Sequence, residues 1–163
     1  MVAFLFRMGN GIAGDVTRQS QSTIEPQVYN SSLPFGGYGL PGKIASGKFV
    51  PIAGGEAATA IYGFLVRPYP ITGANASDPL GTSVPPTSGM ADVLKRGYIN
   101  VKNNAGTPAL NGQVYVRVAN AAAGKPIGGV EAASDSTNTV AVANCIFMGA
   151  ADANGNVEIS FNV

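Results

Sequence analysis

The residue types that usually carry enzymatic chemistry are scarce in this sequence of 163 residues. Histidine is absent, which removes the commonest general base, the commonest metal ligand and the usual partner of a nucleophilic Ser or Cys. The single cysteine, Cys145, lies in the apolar run 140–148, where a small buried hydrophobe is the ordinary role of a thiol. It has no partner for an internal disulfide. We therefore expect a protein that is not an enzyme, with no catalytic residue, no bound metal and no cofactor.

Two glycine-rich stretches have the spacing of nucleotide-binding loops. Residues 9–14 match G-x-G-x-x-G, but the chain that follows does not predict a helix, and no acidic residue stands at the distance such a site requires. Residues 37–43 match G-x-x-x-x-G-K, but Ile44 replaces the hydroxyl that would bind magnesium. Both stretches are predicted to be turns or flexible chain instead.

The stretch 152–158 (DANGNVE) has the polar residues of a calcium loop. Its glycine stands at the fourth position, whereas an EF-hand loop needs glycine at the sixth and a helix on each side. The pair Asn154-Gly155 is a strong signal for a tight turn between two strands. A β-hairpin is therefore the favoured interpretation.

The composition indicates a surface that other proteins cover. Apolar residues make up 45% of the chain and charged residues only 12%, against about 25% charged residues in an average protein. The formal net charge is +1 and no basic run is present, so we expect no nucleic-acid partner. No apolar run approaches the roughly 20 residues of a membrane span, and the N-terminus does not resemble a signal peptide. We expect no membrane partner and synthesis in a reducing cytoplasm.

Glycine and proline divide the chain into short pieces and favour an all-β fold, a β-sandwich or jelly-roll-like barrel with an extended N-terminal arm. The arm is predicted to span residues 1–42, and the β-domain residues 43–163. A long Pro-rich loop is expected at 68–90, where it would pack on another chain. The predicted strands are the apolar or alternating runs 48–52, 59–67, 98–102, 113–119, 139–148 and 156–163.

With these elements in place, the chain resembles the tailed-bacteriophage capsid cement, or head decoration, proteins. The resemblance rests on the segment Gly14–Arg18, the turn GGYGLPGK and the strand IYGFLVRPYP. It rests also on GYINVKN followed by GQVYVRV, and on the terminal stretch NGNVEISF. The family has no catalytic residues, so none is carried over.

The resemblance implies a structural virion protein, made in the host bacterial cytoplasm, that binds the capsid exterior and stabilises the shell. Its partners would be the major capsid protein and other copies of itself, most often as a homotrimer. Residues predicted to contact the capsid or a neighbouring subunit are Arg7, Asp15, Arg18, Ile24, Tyr29, Phe35 and Tyr38. For the aromatic residues the alternative is packing within their own trimer.

Two other functions stay open at this point. One is a host-binding or glycan-binding β-module, although the chain has no Trp and only six Tyr for a stacking platform. The other is a different virion part, such as a tail-tube or fibre subunit. If the arm alone binds the capsid, deletion of residues 1–36 should leave a folded domain that no longer binds.

Overall fold

The chain folds into a curled antiparallel sheet that forms a half-barrel. The computed structural model describes residues 10–68 and 82–163. The all-β prediction is confirmed. The strands of the described residues are β1 (Thr23–Val28), β2 (Pro41–Ala45), β3 (Lys48–Pro51), β4 (Gly63–Leu65), β5 (Met90–Lys102), β6 (Gln113–Arg117), β7 (Val130–Glu131), β8 (Thr139–Phe147) and β9 (Asn156–Phe161). Three short 3-10 helices lie at Gln19–Gln21, Ala58–Ala60 and Ser136–Asn138.

The long strand β5 organises the sheet, whose order is β3-β2-β4-β5-β9-β8-β6-β7. Its first half pairs with β1 and β4, and its second half pairs with β9. Gly97 lies at the junction with a φ of +130°, and a Cβ there would collide with Ser22. Because only glycine adopts that conformation readily and leaves that space, Gly97 allows β5 to pass from one half of the sheet to the other.

Two apolar clusters pack against the curled sheet. The larger cluster is built mainly from β5, β6, β8 and β9, with Phe64 and Val66 from the β4 region. The smaller cluster is built from the segment 29–38, from β3 and β4, and from the first half of β5. Its members are Tyr29, Phe35, Tyr38, Phe49, Leu65, Ala91 and Val93. Strand β4 separates the clusters, since Phe64 points into one and Leu65 into the other.

The predicted strand 59–67 is wrong in extent. Ala58–Ala60 is a 3-10 helix, and only Gly63–Leu65 is a strand. The run is apolar on both faces, as the sequence indicates, because both faces are covered by this chain's own clusters. The predicted strand 98–102 is the second half of β5, which starts eight residues earlier, at Met90. Its first half was missed because charged side chains interrupt the apolar alternation there.

The described part of the predicted arm belongs to the sheet. β1 lies within it, and β2 begins at Pro41. Residues 14–17 continue along the same edge of β5, since the Gly14 N–H donates to the Asn100 carbonyl at 2.8 Å and the Thr17 N–H donates to the Tyr98 carbonyl at 3.2 Å. Residues 10–42 therefore form part of the folded unit, while residues 1–9 lie outside the described residues.

Candidate interaction surface

An open groove of about 870 Å³ lies where two segments of the chain meet. Pro34–Leu40 contributes one wall and residues 82–84 contribute another. These are the described parts of the predicted arm and of the predicted 68–90 loop, of which residues 69–81 lie outside the described residues. Val84, at 72% exposure, is the most exposed large apolar side chain of the described residues. The structure thus brings the two predicted contact regions together around one groove.

Arg67 fastens the walls of this groove to each other. Its Nε donates to the Ala13 carbonyl at 3.1 Å, its Nη1 donates to Ser83 Oγ, and its guanidinium lies 4.5 Å from the ring centre of Tyr38. Burial lowers the pKa of Arg67, although nearby Asp15 and Tyr38 favour the charged form. A planar cation with several donors suits this position because it bonds two segments and stacks on a third.

Asn10 and Asp152 form a clasp at one end of the groove. The carboxylate of Asp152 accepts backbone N–H bonds from Asn154 (2.9 Å), Asn156 (2.8 Å) and Asn10 (3.1 Å). The Asn10 side chain donates to the carbonyls of Ala150 and Asn156, both at 3.0 Å. Burial opposes the ionisation of Asp152, but the three N–H donors outweigh it and lower its pKa. The predicted hairpin turn at 154–155 is confirmed, and the clasp holds Asn10 against this turn.

The three aromatic residues predicted as surface anchors are core residues. Tyr29, Phe35 and Tyr38 are only 4–5% exposed. The Phe35 ring stacks on Phe49 with ring centres 4.9 Å apart, and the Tyr29 ring meets Phe35 edge-on at 6.3 Å. The chain buries these three rings itself, because the segment 29–40 folds back over the sheet instead of extending away from it. Their contact with another chain stays a prediction, and of the three only Tyr38 lines the groove.

The predicted charged contacts have partners within the chain. Arg18 makes two hydrogen bonds to the Glu158 carboxylate, at 2.9 and 3.1 Å, and its guanidinium lies 4.0 Å from the Tyr98 ring centre. Asp15 Oδ2 accepts a hydrogen bond from the Ile12 N–H at 3.3 Å. Their role toward another chain stays a prediction, as does that of Arg7, which lies outside the described residues.

Ile24 is the apolar residue among the described predicted contacts whose side chain is open to solvent. It is 41% exposed on β1, where Val28 is 44% exposed. Met90, directly opposite Val28 on β5, is 59% exposed. Together these three side chains form an exposed apolar patch on one face of β1 and the start of β5.

Sequence reasoning missed a buried ion cluster. Arg117 and Glu131 are each 1% exposed, with Nε and Oε1 2.5 Å apart, and Arg117 Nη2 also lies 2.6 Å from Asp135 Oδ2. The hydrogen bonds to Glu131 and Asp135 raise the pKa of Arg117. Arg117 lies on the face of β6 opposite Val114 and Val116, so alternation alone favours an exposed side chain there. Its burial depends on β7 and the 131–138 segment, which no local pattern reveals. The cluster has a structural role, since its charges are satisfied by one another.

The described residues contain little that could support catalysis. Cys145 is 1% exposed, and burial raises the pKa of its thiol, so the thiolate that would react is disfavoured. Within ranges 10–68 and 82–163, no three His, Cys, Asp or Glu side chains gather as metal ligands would. No helix of those ranges has the length and apolar character to cross a bilayer.

Comparisons with known proteins identify the family to which the chain belongs. No curated protein matches the chain. A chain of a solved structure described as the capsid of Myoviridae Phage XM1 superposes with a TM-score of 0.65 at 23% sequence identity, over 99% of this chain and 94% of that one. A family model described as XM1 gp53 minor capsid protein matches residues 1–161. Because that model covers nearly the whole sequence, the chain belongs to the XM1 gp53 minor capsid protein family, a family of phage virion structural proteins.

Proposed function

We propose that this virion protein acts as a cement or decoration subunit, which binds the outer surface of the capsid and contacts the major capsid protein. The groove between Pro34–Leu40 and residues 82–84 is the observation that supports this assignment. Both segments were predicted to make contacts from sequence alone, and both line one concave surface. The exterior position, the major capsid partner and the trimeric state are parts of this proposal.

The chemistry of the groove suits a protein partner better than a small polar ligand. Apolar side chains such as Ile52 and Ile127 form much of its lining, and Arg67 and Lys102 place positive charge on it. Apolar anchors surrounded by polar groups are typical of the central parts of protein interfaces. With few charges to desolvate, such a surface binds many identical sites at low cost, and an oligomer that engages several sites at once gains avidity.

The test compares two exposed apolar residues. Val84, beside the groove, and Leu110, which does not line it, are 72% and 63% exposed. Val84→Asp should weaken co-sedimentation with expanded capsids at least tenfold, because it brings a carboxylate into an apolar contact. Leu110→Asp should bind as the unmodified protein does. Equal binding by both variants would contradict the assignment of the groove as the capsid contact.

The same preparation separates cement from the alternative virion parts. Purified protein that forms rings or tubes under the electron microscope would indicate a tail-tube subunit. Discrete small oligomers that bind empty capsids are expected from cement. A glycan array, run beside the capsid binding assay, tests the host-binding alternative.

A further inference from the structure

The charged side chains that line the groove, among the described residues, all have the same sign. Lys102 and Arg67 belong to the lining, and no Asp or Glu of residues 10–68 and 82–163 does. Asp152, at the clasp, already accepts three backbone N–H bonds, and Asp15 accepts one from Ile12. A concave surface with charge of one sign favours a partner that carries the opposite sign.

Lys102 is placed at the clasp end of the groove. It is the last residue of β5 and is exposed. Its Nζ donates to the carbonyl of Asn154, in the hairpin turn that also lines the groove. An ammonium group has three N–H donors, and this carbonyl takes one of them. The turn therefore positions Lys102, and its ammonium group keeps donors for a carboxylate of another chain.

Arg67 adds positive charge between the walls of the groove. Its bonds to Ala13 and Ser83 and its stacking on the Tyr38 ring fix the guanidinium there. Burial lowers the pKa of Arg67 even with Asp15 nearby, because the loss of water around the cation outweighs the attraction of this carboxylate. A second carboxylate, brought by a partner, would stabilise the same cation.

Apolar side chains surround these cations. Ile52 and Ile127 line the groove, and Val84 exposes 72% of its surface beside Arg67's partner Ser83. A nucleic acid would need several phosphate contacts, and the described lining supplies two cations. A polypeptide segment that combines apolar side chains with a carboxylate matches both the apolar lining and its charge.

We propose that the groove binds an acidic segment of the major capsid protein, with an Asp or Glu side chain of that segment paired to Lys102 and apolar neighbours packed on the groove. The pairing rests on the proposed function, to which it adds the chemistry of the capsid segment. Residues 1–9 of this chain cannot supply the negative charge, since Arg7 is their only charged side chain. Asp78 is the one acidic residue of 69–81, and the experiment distinguishes it from a capsid carboxylate.

Carbodiimide cross-linking of protein bound to expanded capsids tests the pairing directly, because it joins an amine to a carboxylate where the two are in contact. Peptide mass spectrometry should find an amide bond between Lys102 and an Asp or Glu of the major capsid protein. Lys48, at the other end of β3 from the groove residue Pro51, is the control and should form no bond to the capsid protein. A bond from Lys102 to Asp78 or to another copy of this chain overturns the proposal, as does the absence of any Lys102 product from bound protein.

Binding at two salt concentrations supplies an independent measure. Lys102→Glu should weaken co-sedimentation with expanded capsids about tenfold at low salt, because it places two carboxylates against each other. Lys48→Glu changes the net charge equally and should bind as the unmodified protein does. The loss in Lys102→Glu should shrink at about 0.5 M NaCl, where charges are screened beyond roughly 4 Å. Equal losses in the two variants overturn the proposal.

The same assay separates this pairing from the capsid contact itself. Weak binding of Val84→Asp together with normal binding of Lys102→Glu overturns the acidic segment and keeps the groove as the capsid contact. If the unmodified protein binds no capsid, the proposed function fails and the pairing fails with it.

Discussion

Replacement of Phe35 by Ala decides whether the segment 29–40 is core or contact surface. Phe35 is 4% exposed, stacks on Phe49 and meets Tyr29 edge-on. Removal of a buried phenyl ring costs about 3–5 kcal/mol, which includes the cavity it leaves. In a protein of this size, each kcal/mol lowers Tm by roughly 2–4 °C, so Phe35→Ala should lower Tm by about 10 °C.

Urea denaturation followed by circular dichroism measures this loss, and Leu33→Ala is the matched control. Leu33 lies two residues away in the same segment but is 47% exposed, so its replacement should change the free energy of unfolding by no more than about 0.5 kcal/mol. If Phe35→Ala unfolds within about 1 kcal/mol of the unmodified protein and yet no longer binds capsids, Phe35 is a surface anchor and its burial in the core is refuted.

Three further predictions follow from the same packing. Deletion of residues 1–36 should give a protein without a cooperative unfolding transition, because it removes β1 and two aromatic residues of the smaller cluster. A cooperative transition in the truncated protein would show instead that the domain folds without these residues. Glu131→Gln should cost about 3–5 kcal/mol, since it leaves Arg117 as a buried cation with one partner fewer, whereas Glu158→Gln, in an exposed ion pair, should cost less than about 1 kcal/mol; equal losses in urea would contradict this. The lowered pKa of Asp152 stabilises the fold at pH values above 3.8, the ordinary pKa of the group, and this stabilisation is lost as the pH falls through the folded-state pKa. Asp152→Asn should therefore reduce the loss of stability below about pH 4. If the free energy of unfolding of the two proteins falls in parallel with pH, the clasp is not an acid-sensitive element.

The sequence was sufficient for the fold class and for strands whose alternation is local. β9 shows this, since Val157, Ile159 and Phe161 face the core as their spacing predicts. The turn at Asn154-Gly155 was equally local. The limit appears at Val163, which continues the same alternation at the end of the predicted strand 156–163 but is 57% exposed because the strand ends at Phe161.

What the sequence did not reveal depends on contacts between distant segments. The stretch 29–40 is rich in Gly, Pro and Ser, so it has the composition of a flexible arm, but its three aromatic rings are buried against β3, β4 and β5. Arg117 is similar, because its burial requires a loop that lies elsewhere in the sequence. The sequence predicted two separate contact segments, the arm and the 68–90 loop. It did not predict that they line one groove, because that depends on how the chain folds.

Addition of purified protein to capsids that lack it, followed by electron cryomicroscopy, tests the central claim most directly. We expect new density on the outer surface of expanded capsids, repeated at equivalent symmetry positions, with the groove side of the protein against the major capsid protein. Density confined to the capsid interior or to the tail, or no binding at any concentration, would contradict the cement function.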